Sequence, residues 1–359
     1  MTDSYVLEVV DVIRETADAS SIVFGVPDDL KETFAFTPGQ FLTLAVPSEM
    51  TGLAARCYSI STTPHSGTLQ VTVKRTVEGY ASNWINDNLS AGDTMRVLPP
   101  SGIFTPPDIN ADFMLFAAGS GVTPILSIAR TALEQGTGRV VMLYANRDET
   151  SVIFAEQFRE LAAEYAERFQ IIHWLETVQG LPSEAQIRAF ASQYMEFTGF
   201  VCGPGPFMKL VTDVLKGLEF PRPRRHQEKF VSLGGNPFGD VAEAAIAAET
   251  IAEADDASDE PPAPSFGPVA VEVELDGQNY SFNDWSGTEP LLDFLESKGV
   301  EAPFSCREGQ CSACACMVLE GDVVLKHNEV LDKDDLVDGI RLACQALPAS
   351  EKLRVTYNG

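Results

Sequence analysis

Cys306, Cys311 and Cys314 stand as C-x4-C-x2-C in the stretch SCREGQCSACAC (305–316), and Cys344 lies further along the chain. Four thiolates at this spacing are the ligand set of a plant-type [2Fe-2S] cluster, in which one loop carries three ligands and a distant segment brings the fourth. A zinc site would want two separated C-x2-C or C/H pairs. A disulfide framework suits a small secreted domain, whereas this chain has 359 residues and opens with no signal peptide. Ser305, Arg307, Gly309 and Ser312 offer short side chains or backbone N–H groups where the loop must bend around charged sulfur. Cys316 has no ligand role left and reads as a small core residue of a strand over 316–320.

Other residues could hold nucleotides and rings. Arg56-Cys57-Tyr58-Ser59 puts a guanidinium and an aromatic ring on one face of a strand with a hydroxyl beside them, the set a flavin needs for its pyrophosphate, its ring and its N5 edge. Gly79-Tyr80-Ala81-Ser82 is a glycine-led turn into a helix, whose first N–H groups suit phosphate oxygens. Gly119 and Gly121, before Thr123, and the second loop Cys202-Gly203-Pro204-Gly205 each end an apolar strand and begin a helix. Two such loops facing one crevice suit a nicotinamide dinucleotide. Cys202 either lies beside the reacting nicotinamide carbon or is a buried small residue. Tyr144, Asn146, Arg147 and Asp148 end the next strand, where a ribose is read; Arg147 favours a 2'-phosphate and Asp148 disfavours it, which leaves NADH against NADPH open.

The elements that must position these groups change character along the chain. Residues 1–107 alternate over short runs (5–13, 21–26, 40–46, 69–77 and 95–98) with one helix at 82–89, which predicts an antiparallel β-barrel. Residues 108–233 alternate strand and helix, a Rossmann-like α/β domain with ligand sites at the carboxyl ends of parallel strands. Residues 234–266 are acidic and proline-rich, an extended linker with a possible helix over 241–254. Residues 267–359 predict a compact α+β ferredoxin domain of the β-grasp kind: a hairpin over 269–282, a helix over 290–298 closed by Gly299, the cluster loop, and a short helix near 332–337.

The formal charge of −27 disfavours nucleic acid and anionic membrane as partners, and no apolar run is long enough to span a bilayer. The chain reads as a cytoplasmic monomer whose acidic surface suits a basic patch on another protein. Its four histidines, His65, His173, His226 and His327, stand in neither C-x-H nor E-x-x-H, so oxygen activation is expected on a separate protein. A redox-sensing protein built from the same folds is the reading of a different class.

With these motifs in this order the chain resembles the ferredoxin-NAD(P) reductase superfamily, in the branch that carries a C-terminal ferredoxin domain. RCYSISTTP (56–64), VTVKRTVEGYASNW (71–84), AAGSGVTPI (117–125), YANRD (144–148), CGPGPFM (202–208) and FSCREGQCSACAC (304–316) carry the resemblance. Within the branch they are most similar to reductases of 3-ketosteroid 9α-hydroxylase systems, and next to those of phenylacetyl-CoA epoxidase. The resemblance implies FAD held by Arg56, Tyr58, Ser59, Val73, Lys74 and the turn Gly79, Tyr80, Ala81, Ser82. It implies NADH at Gly119, Gly121, Thr123, Tyr144, Asn146, Arg147, Cys202, Gly203 and Pro204. Ser59, Cys202 and Glu228 are the implied catalytic residues, and Phe230 closes over the flavin. It also implies electron flow from NADH through FAD and the [2Fe-2S] cluster to a terminal oxygenase of the Rieske type.

Overall fold

The computed structural model describes residues 4–48, 52–77, 79–230, 237–238, 268–275, 277–300, 302–304 and 306–357. Strands β1 (Tyr5–Thr16), β2 (Ala19–Gly25), β3 (Phe41–Ser48), β4 (Gly52–Ser59), β5 (Leu69–Lys74) and β6 (Thr94–Val97) form an antiparallel sheet in the order β4-β3-β6-β1-β2-β5. The bridge between Ile60 and Val71 joins its two edges into a barrel. Alternate residues such as Leu7, Val9, Ile22, Leu42, Leu44 and Val71 fill the barrel, and helix α1 (Tyr80–Asn88) contributes Ala81 and Ile85 to that core.

Two boundaries here differ from the sequence reading. β1 and β2 run to within two residues of each other, because Thr16 and Asp18 hydrogen-bond across the turn and keep both strands paired to their ends. β5 stops at Lys74, short of Val77, since the chain must leave the sheet to make the turn into α1: Gly79 N–H donates to the Thr76 carbonyl, and Thr76 N–H donates to the Ser82 hydroxyl. The helix accordingly begins at Tyr80.

The second sheet is wholly parallel, in the order β11-β10-β7-β8-β9, from β7 (Phe113–Ala118), β8 (Val140–Asn146), β9 (Phe169–Leu175), β10 (Thr198–Cys202) and β11 (Arg225–Glu228). Helices cover both faces, so β7 is apolar and buried throughout and β8 is buried to its end at Asn146. On one face pack α2 (Val122–Gln135) and α3 (Ala155–Glu164); on the other pack α5 (Glu184–Ala191) and α6 (Gly205–Gly217), with the short α4 (Glu176–Gln179) following β9. The barrel meets α2 through the Ser127 hydroxyl, which donates to the Thr62 carbonyl (2.6 Å), and through His65 against Glu134 (2.5 Å).

In the third sheet, β12 (Val269–Leu275), β13 (Gln278–Trp285), β14 (Ala315–Glu320), β16 (Ile340–Leu342) and β18 (Lys352–Thr356) lie in the order β13-β12-β18-β14-β16, with β15 (Val323–Leu325) and β17 (Ala346–Pro348) as a separate ribbon. Helix α7 (Leu291–Ser297) packs Leu291, Phe294 and Leu295 against Trp285 and Val355, and α8 (Lys333–Val337) is capped by Asp332. Cys316 is buried in this core. Of the acidic segment 234–266 only Pro237 and Phe238 belong to the described residues, and the possible helix over 241–254 lies outside them. Phe238 does not behave as tether: it is buried between the barrel and the cluster loop, with the Arg96 guanidinium 5.2 Å from its ring centre.

The third core is closed around Trp285, which has no exposed surface. Trp285→Ala should cost about 3–5 kcal/mol there. We expect an added early transition in a urea melt followed by circular dichroism; a single transition at the unchanged midpoint would contradict an independent third core.

Candidate functional site

The cluster loop is shaped by backbone geometry. Gly309 has φ +72°, and a Cβ there would lie 2.6 Å from the His327 carbonyl oxygen, so no side chain fits. Arg307 also has positive φ (59°), held by ion pairs to Asp293 (2.9 Å) and Glu296 (2.5 Å) of α7 and by the Phe304 ring beneath its guanidinium. Its side chain therefore anchors the loop and does not face sulfur. Ser305 lies outside the described residues.

Backbone N–H groups of Glu308 and Gln310 donate to Cys306 Sγ (3.4 Å each), and Gln345 Nε2 donates to Cys344 Sγ (3.7 Å). Cys306 accepts from the thiols of Cys311 and Cys344, and Cys344 also contacts Cys314. The contacts with Cys311 and Cys344, with the backbone donors of Glu308 and Gln310, lower the Cys306 thiol below the usual range. Among the described residues no group of three or more His, Cys, Asp or Glu is arranged as a single-ion site. The fit of the four buried thiols to a cluster rests on their mutual contacts and on the N–H donors around them.

On β4, Arg56 and Tyr58 share one face, and burial raises the Tyr58 phenol. Cys57 points the other way, into the apolar cluster with Phe41, Ala55, Cys311 and Ala313. Helix α1 has no side-chain cap, so its leading N–H groups are not satisfied by a cap residue. The Ser82 hydroxyl accepts from Thr76 N–H and organises the turn, and Tyr80 OH donates to the Pro47 carbonyl. Gly79 is required because a Cβ would meet the Thr76 Cβ at 2.7 Å. Ala81 and Val73 face the barrel core, leaving only their backbone for a cofactor.

At the carboxyl ends of the parallel strands opens a cleft of about 330 Å³, lined by Lys74, Gly119, Asn146, Arg147, Trp174 and Glu176 among others. Pro204 closes one side. Gly121 starts α2 against β10 so closely that a Cβ would lie 2.3 Å from the Cys202 carbonyl oxygen, and a Cβ on Gly203 would lie 3.0 Å from that of Ala118. Thr123 is buried and donates to the Ser120 carbonyl. Asn146 is buried, and neither polar atom of its amide makes a hydrogen bond. A buried amide without partners at the rim of a nucleotide-sized cleft suits a polar ligand.

Tyr144 departs from the sequence reading. It is fully buried behind the cleft, where its hydroxyl accepts from Ile153 N–H and contacts the Gly119 carbonyl, so it supports the glycine turn from below. Asp148 caps the next turn through Ser151 N–H, pairs with Arg147 at 3.1 Å, and is held near 2 by the Thr150 hydroxyl and Arg147. Trp174 and Glu176 were missed, although they stand at the end of β9 where strand-end ligands bind.

Cys202 and Glu228 are cross-strand partners on β10 and β11. Burial raises the Cys202 thiol, and the neighbouring Glu228 adds to that shift. Glu228 keeps some surface toward narrow clefts, yet its carboxyl lies deep between domains and burial pushes it to about 8. A small cleft joins Ser59 and Cys57 of β4, Glu228 at the end of β11, Phe230 just after it, and Cys311 of the cluster loop. The flavin motif, the end of the nicotinamide domain and the cluster ligands thus converge on one place.

Residues 6–105 match the family described as oxidoreductase FAD-binding domain, 115–213 the oxidoreductase NAD-binding domain, and 273–349 the 2Fe-2S iron-sulfur cluster binding domain. The ferredoxin reductase component of 3-ketosteroid-9-alpha-monooxygenase from Rhodococcus rhodochrous is 48% identical over 99% of this chain and 97% of its own. Its counterpart from Mycolicibacterium smegmatis is 48% identical over the full length of both. A 1,2-phenylacetyl-CoA epoxidase component from Escherichia coli is 29% identical over 100% of this chain and 99% of its own. In fold, the chain is similar to phthalate dioxygenase reductase (TM-score 0.54, 23% identity, 98% of both chains). It is also similar to full-length CYP116B46 from Tepidiphilus thermophilus (TM-score 0.64, 20% identity, 98% of this chain), of which it spans only 42%. The three matched domains and the near-half identity over whole chains lead to one conclusion: this chain belongs to the family of 3-ketosteroid-9-alpha-monooxygenase ferredoxin reductase components, electron-transfer flavoproteins with FAD, NAD and [2Fe-2S] domains in one polypeptide.

Proposed function

We propose that this chain takes electrons from NADH and delivers them through FAD and a [2Fe-2S] cluster to a separate terminal oxygenase of the Rieske type that acts on a 3-ketosteroid. The observation that carries the reading is the cleft shared by Ser59, Glu228, Phe230 and Cys311, where three cofactor-binding units meet. The steroid and the separate oxygenase are supported by the relatives' names at 48% identity, against 29% for the epoxidase component.

Bound in these sites, NADH would supply a hydride and FAD would allow the pair to leave as single electrons to the cluster. The chain's own residues do the positioning. Arg56 and the leading N–H groups of α1 would hold the pyrophosphate, Tyr58 the flavin ring, and Ser59 would offer a hydrogen bond at its edge. Gly119, Gly121 and the loop at Gly203 let the nicotinamide nucleotide approach backbone, Asn146 and Trp174 line its bed, and Phe230, 49% exposed, covers the flavin. The four cysteines hold the cluster. Asp148 and Glu176 put negative charge beside Arg147 at the cleft rim, which favours NADH over its 2'-phosphorylated form.

Glu228 holds a proton on its carboxyl oxygen at neutral pH and can present it toward Cys202 and Ser59. Because its pKa is raised to about 8, the protonated form prevails below that value and is lost above it. NADH-driven ferricyanide reduction should therefore fall by about tenfold per pH unit beyond roughly 8. Glu228→Gln, which donates but does not ionise, should flatten that limb; an unchanged limb in the variant would remove the role. For the function itself, NADH, oxygen and a 3-ketosteroid should give hydroxylated steroid only when a terminal oxygenase is added, with NADPH a poorer donor. Product from the reductase alone would overturn the reading.

A further inference from the structure

The chain has 25 Lys and Arg against 52 Asp and Glu, yet Lys209, Lys216, Arg222, Arg224, Arg225 and Lys229 crowd into one short segment of the nicotinamide domain. Three of these face α8 of the ferredoxin domain, and Lys229 faces the turn just before it. Lys216 Nζ and Arg225 Nη2 both meet Asp334 (2.8 and 2.6 Å). Arg222 pairs with Asp335 and, at 3.1 Å, with Asp338. Gln227 Nε2 donates to Asp332 (2.5 Å), and Lys229 Nζ donates to the Val330 carbonyl (3.2 Å). Arg225 is 7% exposed, so its pairing is not loose surface charge.

A neutral or apolar seam would hold two domains without regard to salt. This seam is charged, and it encloses a cavity of about 90 Å³ bordered by Arg222, His226, Ser312 and Asp335. Interfaces of that character open and close. It also lies beside the functional contact, because Glu228 and Lys229 line both this cavity and the cleft that contains Cys311. Resting on the proposed reductase function, we infer that Lys216, Arg222 and Arg225 with Asp334, Asp335 and Asp338 form an electrostatic latch that positions the cluster loop against the flavin strand for electron transfer. These are positioning residues; none touches a cofactor site. The latch also occupies the acidic face of α8, so an oxygenase using that face must displace it.

The test uses the full-length holoprotein. Asp334→Lys places a cation opposite Lys216 and Arg225 and leaves the nicotinamide domain unaltered. In stopped flow with NADH, cluster reduction should slow by about tenfold or more, while NADH-driven ferricyanide reduction stays within about twofold and both visible chromophores remain. Adding Lys216→Glu and Arg225→Glu to Asp334→Lys inverts both pairs and should restore the cluster rate. In the unsubstituted protein, rising salt should slow cluster reduction more than ferricyanide reduction. A cluster rate unmoved by Asp334→Lys, or a slow rate that the inverted triple variant fails to restore with its chromophores intact, would overturn the latch. Failure of the unsubstituted protein to reduce its cluster with NADH at all would instead overturn the reductase reading.

Discussion

Phe41, Ala45, Ala55 and Leu98 of the barrel bury against Cys306, Cys311 and Ala313 of the cluster loop, with Phe238 packed among them. This small apolar contact is the constraint on which the rest depends, since electrons cross between cofactors only where their protein beds touch. Cys57, between Arg56 and Tyr58 in sequence, packs half-buried against this contact and shares a small cleft with Cys311. The alternation of β4 separates its two faces: one carries Arg56 and Tyr58, proposed to hold the flavin, and the other abuts the cluster loop.

That contact is small, and other seams share the task of holding it. The polar seam along α8 aligns the ferredoxin domain with the nicotinamide sheet, and Arg96 donates to the Phe238 carbonyl at 2.8 Å to tie the chain leaving that sheet to the barrel. Ion pairs within 3.1 Å fix direction well, but water and salt compete for them. Apolar contact at the functional point and charge at its flank together describe a domain that can dock accurately and still let go.

The antiparallel barrel, the parallel α/β sheet and the 2Fe-2S domain were legible because each is written in local spacing. C-x4-C-x2-C needs no tertiary knowledge, and the change from period-two alternation to apolar strand and helix separates the antiparallel sheet from the parallel one. What the sequence could not reveal was which covered surface meets which. Alternation puts Cys57 on the face opposite Arg56 and Tyr58 but does not say which loop that face meets, and Phe238 stood in a stretch read as linker. The acidic surface was read as a whole, as suited to a basic patch on another protein, whereas Asp334 and Asp335 find their partners more than a hundred residues upstream in the same chain. Tyr144 was assigned by its place at a strand end, yet side chains alternate across a sheet, and its side points into the core.

The claim at the centre of this account is that flavin strand and cluster loop are apposed within one chain. It is tested most directly by mixing the holoprotein with one equivalent of NADH in stopped flow and following flavin and cluster absorbance over a wide range of protein concentration. The account predicts that the cluster phase follows the flavin phase at a rate independent of protein concentration. A cluster phase that accelerates in proportion to protein concentration would mean transfer between molecules, and would contradict it.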